Sequence, residues 1–584
     1  MQNNILKIDG LKTYFHTEGR VVKAVDGLDL VLKRGETLGI VGESGSGKSV
    51  TSLSIMRLID RPGIIEAGSI HYFDKAGVST DLLQLSEKEI QGYRGSKIAM
   101  IFQEPMSSLN PSYKCGAQIT EAIRLHLKLN KADAKIKTLQ LFEKVKLPEP
   151  ERIFQSYPHQ LSGGQLQRVM IAMALSCGPD IIIADEPTTA LDVTVQKSII
   201  QLLKTFSKEA GTSVIFISHD LGVISEIADR VIVMYKGKVM ERGSIKDMFE
   251  KPQHPYTKSL LACRPPLDLK LDRLPVVSDF MEVIESGDKI EIREIVNGFN
   301  EAKHILNQDY IEKRNASIQA QAPLLSVQHL NTWYPKKKNF FGKPVAFLKA
   351  VNDVSFDVYP GETLGLVGES GCGKSTLGRT LVKLVQAQSG KAIYKGHDLI
   401  GMSQKEMKPW RKEIQIIFQD PYSSLNPRMS IGKAILEPMQ VHKLYGSEQQ
   451  RKEKVVDLLE TVNLEADHYN RYPHEFSGGQ RQRISIARTL ALDPKFIICD
   501  ECVSALDVSV QAQVLNLLME LRAKMNLTYI FISHDLSVVK FISDRIMVMQ
   551  EGRIVELGNA EKVYRNPKEN YTKTLINAIP GVSS

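Results

Sequence analysis

Short apolar runs alternate along the chain with segments whose apolar residues recur at helical spacing. The runs TLGIV (37–41) and TLGLV (363–367) have the length of buried strands, and the helix-like segments SVTSLSIMRLI and STLGRTLVKLV follow them after a short gap. Two further apolar runs, 181–184 and 496–499, are typical of strands buried on both faces of a parallel sheet. The pattern predicts an α/β fold.

One amphipathic helix is predicted late in the chain. Val455, Leu458, Leu459 and Val462 follow the i, i+3, i+4, i+7 spacing of a single buried face, which by itself is typical of ordinary core packing. No apolar run approaches the roughly 18 to 20 residues that a membrane-spanning helix needs. We therefore expect any membrane role to depend on a partner protein.

Size and composition allow several packed domains. At about 100 to 200 residues per domain, 584 residues suggest roughly three or four units. The net charge of 75 − 67 = +8 is mild and is typical of an ordinary solvated surface. Because the six cysteines are scattered and the start MQNNILKIDG has no charged-then-apolar leader, we expect the protein to remain in the reducing cytoplasm.

The chain contains the same series of motifs twice. GETLGIVGESGSGKS (35–49) recurs as GETLGLVGESGCGKS (361–375), and YPHQLSGGQLQR (157–168) recurs as YPHEFSGGQRQR (472–483). The offset falls from 374 − 48 = 326 to 419 − 103 = 316 and then to 500 − 185 = 315. About ten extra residues therefore lie between about 60 and 95, where we expect a surface loop.

The repeat decides between two interpretations of the stretch FIICDECVSALD (496–507). Cys499 and Cys502 have the C-x-x-C spacing of a redox pair or half a zinc site, and two acids lie between them. The first half has Ala184 and Pro187 at the cysteine positions but keeps both acids. The acids are therefore the predicted functional residues, and the cysteines are interpreted as small packing residues.

A phosphate-binding loop is predicted in each half. The spacing G-x-x-x-x-G-K-[S/T] follows a strand and opens a helix both times, which is the context in which this motif binds phosphate. Glycines let successive N–H groups face one anion, the lysine adds a positive charge, and the hydroxyl can reach Mg²⁺. The motif residues are Gly42, Gly47, Lys48 and Ser49 in the first half, and Gly368, Gly373, Lys374 and Ser375 in the second.

The paired acids end the predicted buried strands. Mg²⁺ prefers oxygen ligands, so the first acid of each pair, Asp185 or Asp500, suits the metal. The second acid, Glu186 or Glu501, can polarise an attacking water. A solvated strand end would explain one such pair alone, but the phosphate loops in the same chain favour the functional interpretation.

A second glycine-rich turn in each half, LSGGQ (161–165) or FSGGQ (476–480), opens a helix and has a hydroxyl but no lysine. Each turn could hold an anion at a helix N-terminus or could be a plain helix cap. Each half thus has one anion cradle with lysine and one without. This asymmetry suggests that two surfaces close on one triphosphate.

Together these motifs resemble two ATP-binding cassettes of the ABC ATPase family fused in one chain, and the resemblance covers about nine tenths of the residues. It implies that each cassette has a P-loop RecA-like core with an antiparallel β subdomain and a helical subdomain. The expected division is a first domain at 1–263, a linker at 264–323 and a second domain at 324–584. The expected ligands are ATP and Mg²⁺.

The resemblance also implies a head-to-tail pairing in which each phosphate loop faces the signature turn of the other half. Site one would join Lys48, Ser49, Gln103, Asp185, Glu186 and His219 to Ser477, Gly479 and Gln480. Site two would join Lys374, Ser375, Gln419, Asp500, Glu501 and His534 to Ser162, Gly164 and Gln165. The remaining expected nucleotide contacts are Ser44, Gly45, Ser46, Val50, Gly163, Ser370, Gly371, Cys372, Thr376 and Gly478.

Individual roles follow from the same resemblance. Glu186 and Glu501 would be general bases, and His219 and His534 would hold the γ-phosphate and orient the water. Gln103 and Gln419 would touch Mg²⁺, and Asp192 and Asp507 would couple the sites across the interface. An aromatic residue would stack on adenine: Phe15 and Tyr334 fit best, with Tyr14 and Trp333 as alternatives.

Departures from the family pattern are few. Phe476 replaces the usual leucine of the signature, Leu166 stands where the other half has Arg481, and Cys502 stands where proline is common. None removes a group that contacts phosphate or metal, so both sites are predicted to hydrolyse ATP. Cys372 lies inside the second phosphate loop, and we hypothesise that its alkylation inhibits the ATPase and that ATP protects it.

The motifs FQEPMSSLNP and FQDPYSSLNP, with the tails HPYTKSLLA (254–262) and ENYTKTLINAIPG (569–581), resemble the oligopeptide and dipeptide importer branch. That branch implies two permease subunits, a binding protein, and substrates that include peptides, glutathione and nickel. The chain would lie on the cytoplasmic face of the membrane, with its helical subdomains receiving the permeases. With only Cys263 after the first tail, no iron–sulfur cluster is predicted.

The alternative is a soluble tandem ATPase that acts on ribosomes or nucleic acid. The linker at 264–323 holds 11 acids and 8 bases, so its net charge is 8 − 11 = −3. Affinity for nucleic acid depends on neutralising phosphates, and a negative linker opposes it. We therefore expect no nucleic-acid partner.

Overall fold

The computed structural model describes residues 3–17, 19–189, 191–286, 289–296, 298–338 and 344–579. Each half builds one antiparallel sheet of four strands and one largely parallel sheet of six, with helices packed around the latter. This arrangement agrees with the predicted α/β fold. The last residues of the second tail motif, 580 and 581, lie outside the described part of the chain.

The first half begins with a long strand pair and ends with the tail helix α11. Its strands are β1 (Asn4–Thr17), β2 (Arg20–Lys33), β3 (Thr37–Val41), β4 (Gly63–Phe73), β5 (Ser79–Asp81), β6 (Ile98–Ile101), β7 (Ile181–Asp185), β8 (Ser213–Ser218), β9 (Arg230–Tyr235) and β10 (Lys238–Ser244). Its helices are α1 (Lys48–Ile55), α2 (Glu87–Tyr93), α3 (Pro105–Ser108), α4 (Cys115–Leu127), α5 (Lys131–Lys144), α6 (Pro150–Gln155), α7 (Gly163–Leu175), α8 (Val193–Ala210), α9 (Leu221–Ile227), α10 (Ile245–Glu250) and α11 (Pro255–Ala262).

The parallel sheet positions the chemistry of the first half. Its strand order is β10-β9-β3-β8-β7-β6, and every pair except β10 with β9 is parallel. Every residue of β3, β7 and β8 is buried, as the uninterrupted apolar runs predict. The carboxyl ends of β3 and β7 therefore open on the same edge, where ligands bind in such sheets.

The linker at 264–323 contains β11 (Met281–Ser286), β12 (Lys289–Glu294) and α12 (Gln308–Gln319). Met281 packs in the core of the first half, whereas Leu274 packs in the core of the second. The Asn516 side chain accepts from Leu274 N at 2.9 Å and donates to Leu274 O at 2.8 Å. Arg314 on α12 donates to Asp544 at 2.7 Å. The linker is thus folded against both halves.

The second half repeats the first. Its strands are β13 (Leu325–Lys338), β14 (Pro344–Val358), β15 (Thr363–Val367), β16 (Ser389–Tyr394), β17 (His397–Asp398), β18 (Ile414–Ile417), β19 (Phe496–Asp500), β20 (Thr528–Ile532), β21 (Arg545–Gln550) and β22 (Arg553–Asn559). Its helices are α13 (Lys374–Leu381), α14 (Gln404–Glu413), α15 (Pro421–Ser424), α16 (Ile431–Val441), α17 (Glu448–Thr461), α18 (Gly478–Leu490), α19 (Val508–Met525), α20 (Leu536–Ile542), α21 (Ala560–Arg565) and α22 (Asn570–Asn577). The six-stranded order β18-β19-β20-β15-β21-β22 matches the first half read in reverse.

The extra residues of the first half lengthen a hairpin instead of forming only a surface loop. Strand β4 has 11 residues where its counterpart β16 has 6. Five residues, 74–78, join β4 to β5, whereas two residues, 395–396, join β16 to β17. The expectation of a loop was therefore incomplete, because strand pairing with β1 and β5 absorbs part of the insertion.

The predicted amphipathic helix is α17. Val455, Leu458 and Leu459 are buried on it, and Val462 is buried directly after its end, in one core with residues of α16 and α18. The predicted buried face is confirmed. Among the described helices, none combines the length and the apolar character that crossing a bilayer requires.

Candidate active sites

Each phosphate-loop motif joins a buried parallel strand to a helix. In the first half Gly47 has a left-handed conformation (φ +99°) immediately before Lys48 opens α1. A Cβ at Gly42 or Gly47 would lie 2.2 Å from a backbone oxygen, so only glycine fits there. The same applies in the second half at Gly368 and Gly373, where the distances are 2.2 and 1.9 Å. The backbone therefore curls tightly enough to point N–H groups at an anion.

The phosphate-loop lysines are held inside their loops. Lys48 Nζ donates to the backbone oxygens of Gly42 at 2.6 Å and Glu43 at 2.9 Å. Lys374 makes the equivalent two bonds in the second half at 2.7 and 3.0 Å. Each lysine side chain is 4% exposed, and its Nζ lies 3.9 Å from the carboxylate of the predicted base. Both loops thus present a buried cation where the outer phosphates are expected.

The predicted metal ligands meet in pairs. Ser49 Oγ donates to Asp185 Oδ1 at 2.9 Å, and Ser375 Oγ donates to Asp500 Oδ1 at 2.6 Å. Burial is the main reason that the pKa of Asp185 rises to about 6, and the nearby Glu186 carboxylate adds to it. Burial also raises the pKa of Asp500. A hydroxyl beside a carboxylate is an oxygen donor set, which fits Mg²⁺.

Glu186 is the centre of the first cluster. Its Oε2 accepts from Gln103 Nε2 at 3.1 Å and from Thr189 Oγ1 at 2.9 Å, and His219 Nδ1 lies 3.2 Å away. Burial alone would raise the pKa of Glu186, but His219 and Lys48 outweigh it and lower the pKa to about 2. The side chain is therefore held in its ionised carboxylate form. Thr189 is a partner that the sequence analysis missed.

Glu501 occupies the equivalent position in the second half. Its Oε2 accepts from Gln419 Nε2 at 2.9 Å, and His534 Nδ1 lies 3.7 Å away. Burial opposes ionisation, but His534 and Lys374 lower the pKa of Glu501 below its ordinary value. Glu186 and Glu501 both have left-handed backbones, with φ of +46° and +50°. Such conformations are uncommon outside glycine and cluster at functional sites.

His219 lies against Glu186, the predicted base of the first half. Burial alone would lower the pKa of His219, but the Glu186 carboxylate raises it above its ordinary value. The structure thus brings together the predicted lysine, serine, glutamine, acid pair and histidine in each half. Their roles in catalysis remain predictions.

The signature turns cap helices in the structure. Gln165 N donates to Ser162 Oγ at 3.4 Å, and Ser162 N donates to Gln165 Oε1 at 3.1 Å, which forms a capping box at the start of α7. Ser477 and Gln480 form the same box at α18. The turns thus have the helix-cap geometry considered above, and their contact with a nucleotide remains a prediction.

The two halves meet through the segments that precede α8 and α19. Ser44 N in the first phosphate loop donates to Asp507 Oδ2 at 2.8 Å. Reciprocally, Ser370 N in the second phosphate loop donates to Asp192 Oδ2 at 3.4 Å. Asp192 also caps α8 by accepting from Val195 N at 2.9 Å. Each phosphate loop is therefore in contact with the opposite half through the aspartate expected at the interface, and its pairing with the opposite signature turn remains a prediction.

The aromatic candidates for adenine stacking lie on the long strands β1 and β13. Phe15 is half-buried, and a Cβ added to Gly63 would lie 2.7 Å from its ring. Tyr334 is 39% exposed. Tyr14 is buried and donates to Asp26 at 2.6 Å, and Lys349 Nζ lies 5.0 Å from the ring centroid of Trp333. Tyr334 is thus the exposed one of the four, Phe15 and Trp333 are half-buried, and which residue stacks on adenine remains a prediction.

All six cysteines are free thiols, and five of them are buried. Cys499 and Cys502 lie in the core of the second half, as expected for packing residues. Cys372 is 7% exposed, and burial raises the pKa of its thiol. A Cβ added to Gly368 would lie 2.7 Å from Cys372 Sγ, so this side chain fills space inside its loop.

One difference between the sites was not predicted. Arg379 Nη2 on α13 lies 3.4 Å from Asp500 Oδ2, and Leu53 stands at the equivalent position of the first half. Aligning the two helices would have shown the substitution. Only the structure shows that this arginine contacts the predicted metal ligand.

Comparison with known proteins gives matches over most of the chain. A family model described as ABC transporter matches residues 25–189 and 351–504, and one described as Oligopeptide/dipeptide transporter, C-terminal region, matches 240–282 and 555–584. The Glutathione import ATP-binding protein GsiA of Salmonella choleraesuis (strain SC-B67) is 47% identical over 584 residues, 99% of this chain and 90% of that protein. Its namesake from Escherichia coli (strain K12) is 46% identical over 588 residues, with the same coverage.

Proposed function

The chain belongs to the ABC transporter family, and from this premise we propose that both of its nucleotide sites hydrolyse ATP with Glu186 and Glu501 as general bases. Membership agrees with the fold, the ATP ligand and the importer branch expected from the sequence. The chain is thus an ATP-hydrolysing subunit that energises import of peptides or similar small solutes through permease subunits. The alternative of an ATPase acting on ribosomes or nucleic acid has no support from these import proteins.

The observation that carries the two-site proposal is the duplicated cluster around each base. In the first site, the Glu186 carboxylate would accept the proton of the water that attacks the γ-phosphate. His219, 3.2 Å from this carboxylate, would orient that water and hold the phosphate. Lys48 would neutralise charge on the outer phosphates, where a buried cation acts strongly. Glu501, His534 and Lys374 would perform the same steps in the second site.

A magnesium ion is proposed for each site. Ser49, Asp185 and Gln103 would hold it in the first half, and Ser375, Asp500 and Gln419 would hold it in the second. When bound, the ion would neutralise phosphate charge. Burial raises the pKa of both acids, so a bound cation would stabilise their charged forms, which supports the proposed site.

We propose glutathione or a similarly small peptide as the transported solute. The support is the name shared by relatives that are 46% and 47% identical along nearly the whole chain. In this proposal the chain binds the cytoplasmic face of the membrane beneath two permeases. We also propose the domain division 1–263, 264–323 and 324–584. In this division the middle segment is a folded linker that packs against both domains.

Reconstitution of the full chain with its permeases and binding protein in vesicles tests the proposal. We expect ATP-dependent uptake of labelled glutathione, together with phosphate release. The double variant Glu186→Gln/Glu501→Gln should bind ATP but abolish both activities. Uptake driven by this variant would contradict the mechanism. Phosphate release without glutathione uptake would keep the mechanism but reject the solute.

A further inference from the structure

The tail motifs HPYTKSLLA and ENYTKTLINAIPG share a tyrosine that the catalytic account leaves unused. Tyr256 lies at the start of α11 and is 0% exposed, and Tyr571 lies at the start of α22 and is half-buried. The offset 571 − 256 = 315 places them at equivalent positions of the repeat. Each half therefore carries the same tyrosine at the same place in its tail.

Each tyrosine hydroxyl reaches the phosphate loop of its own half. Tyr256 Oη accepts a hydrogen bond from Glu43 N at 3.1 Å, and Tyr571 Oη accepts one from Glu369 N at 2.9 Å. Glu43 and Glu369 are the residues that directly follow the first glycine of each loop. A buried backbone N–H without a partner is costly, so each hydroxyl fixes the loop where it leaves the strand.

The same two glutamates contact the opposite half. Ser509 at the start of α19 donates to the Glu43 carboxylate, and Thr194 at the start of α8 donates to Glu369 Oε1 at 3.0 Å. The backbone N–H of Glu43 is thus bonded to its own tail while its carboxylate is bonded across the interface. Glu369 makes the matching pair of bonds.

Hydrogen bonds to the neighbouring strands fix the start of each tail helix, so each tyrosine has a defined position. The Glu241 carboxylate on β10 accepts from Gln253 N at 2.8 Å and from His254 N at 3.0 Å, which fixes the start of α11. Glu556 on β22 accepts from Lys568 N at 3.0 Å and from Glu569 N at 3.3 Å before α22. Helix α11 also contacts α19 of the opposite half.

We propose that Tyr256 and Tyr571 are positioning residues for ATP hydrolysis, each holding a phosphate-loop glutamate in place to receive the hydroxyl of the opposite half. The tail then links each nucleotide site to the closure of the two halves. This inference rests on the proposed hydrolysis at both sites. The need to fix this glutamate would explain why the same tyrosine occurs in both tails.

Removing one oxygen tests the proposal. In the full chain, Tyr256→Phe keeps the ring but leaves Glu43 N without its acceptor, so we expect kcat to fall about fivefold while KM for ATP changes by less than twofold. Tyr571→Phe should behave alike. Tyr310→Phe, at a 52% exposed position on α12, is the matched control and should be unchanged. Wild-type kcat in both tail variants would overturn the proposal, and so would an effect on KM alone.

A double-mutant cycle separates positioning from simple destabilisation. Tyr256→Phe combined with Ser509→Ala should lose less than the product of the two single losses, because both act through Glu43. Combined with Thr194→Ala, whose hydroxyl bonds Glu369 of the second phosphate loop, the losses should multiply. Equal coupling to both hydroxyls would contradict the proposed path. If Tyr256→Phe fails to fold, the half-buried Tyr571 with Thr194→Ala carries the same test.

The proposed function and this inference fail differently. If the double variant Glu186→Gln/Glu501→Gln keeps hydrolysing ATP, the catalytic assignment fails. If that variant is inactive while both tail variants match the wild type, only the positioning role fails.

Discussion

The first and second sites differ in the group beside the predicted metal ligand. Asp185 has no arginine among its contacts in the described structure, whereas Asp500 lies 3.4 Å from Arg379. Leu53 replaces that arginine in the first half. The two halves thus share the lysine, serine and acid pair expected to bind phosphate and metal. They differ in a residue that contacts one of these side chains. We therefore expect the two proposed sites to differ in how tightly they would hold Mg²⁺.

The two predicted bases, Glu186 and Glu501, also differ in their contacts. Thr189 donates to the Glu186 carboxylate at 2.9 Å, whereas Ser504, at the equivalent position, donates to the backbone oxygen of Glu501. The histidine is also closer in the first site, at 3.2 Å against 3.7 Å. Glu186 is thus held by more donors than Glu501. We expect the first site to be the more rigid of the two.

The largest expected effect comes from removing the bases one at a time. Either Glu186→Gln or Glu501→Gln removes the proton acceptor of one site, so each should reduce phosphate release at least twofold, and the double variant should lose about 10² to 10⁴. Steady-state phosphate release by the full chain measures this. Glu143→Gln, an exposed position on α5, is the control. Unchanged turnover in Glu186→Gln would show that the first site is inactive.

The next prediction concerns stability without metal. Asp185 has a pKa of about 6 in the folded chain and an ordinary value of 3.8, so the folded state binds the extra proton between these values. The stability contribution is complete below about 3.8 and is lost as pH rises through about 6. A shift of about two units corresponds to about 3 kcal/mol at pH 8.

Asp185→Asn should therefore raise the melting temperature at pH 8 in EDTA and change it little at pH 4. Asp500→Asn should stabilise less, because it leaves Arg379 without its carboxylate. Thermal unfolding of both variants at the two pH values measures the difference. Equal stabilisation by the two substitutions would show that the arginine does not distinguish the sites.

The clustering of the candidate site residues was predictable because its signals are local and occur twice. The lysine, serine, acid pair and histidine follow strand ends at fixed spacings, and the repeat removed the C-x-x-C alternative by showing Ala184 and Pro187 in place of the cysteines. The buried strands were predictable because a short uninterrupted apolar run is typical of a strand buried on both faces of a parallel sheet.

Contacts between distant segments were not predictable. The local sequence pattern does not show which groups the side chains of Thr189, Arg379 and the tail tyrosines contact. The partners of Arg379 and of the tyrosines lie more than 100 residues away in the chain. The longer hairpin was seen only as extra residues, because strand register depends on the partner strand. The composition of the linker likewise showed its net charge, but it could not show that the linker packs against Asn516 and Asp544 of the second half.

A smaller effect is expected from exchanging the residues beside the metal ligands. Arg379 places a positive charge next to the second cation site, so Arg379→Leu should lower the Mg²⁺ concentration for half-maximal nucleotide binding about threefold, and Leu53→Arg should raise it at the first site. The effect is modest because the arginine side chain is 44% exposed. Mg²⁺ titration of fluorescent-nucleotide binding measures it in the Glu186→Gln/Glu501→Gln background. Shifts in the opposite directions would contradict the electrostatic explanation.

The smallest effect is expected where the loops differ in a buried spacer, Ser46 in the first and Cys372 in the second. Because Cys372 is 7% exposed and burial raises the pKa of its thiol, alkylation should be slower than at the half-buried Cys177. Once Cys372 is modified, ATPase activity should fall and bound ATP should protect. Cys372→Ser copies the first loop and should change kcat less than twofold. Peptide mapping after timed alkylation measures the order in which Cys177 and Cys372 are modified. If alkylation inactivates Cys372→Ser at the same rate as the wild type, another thiol causes the loss of activity.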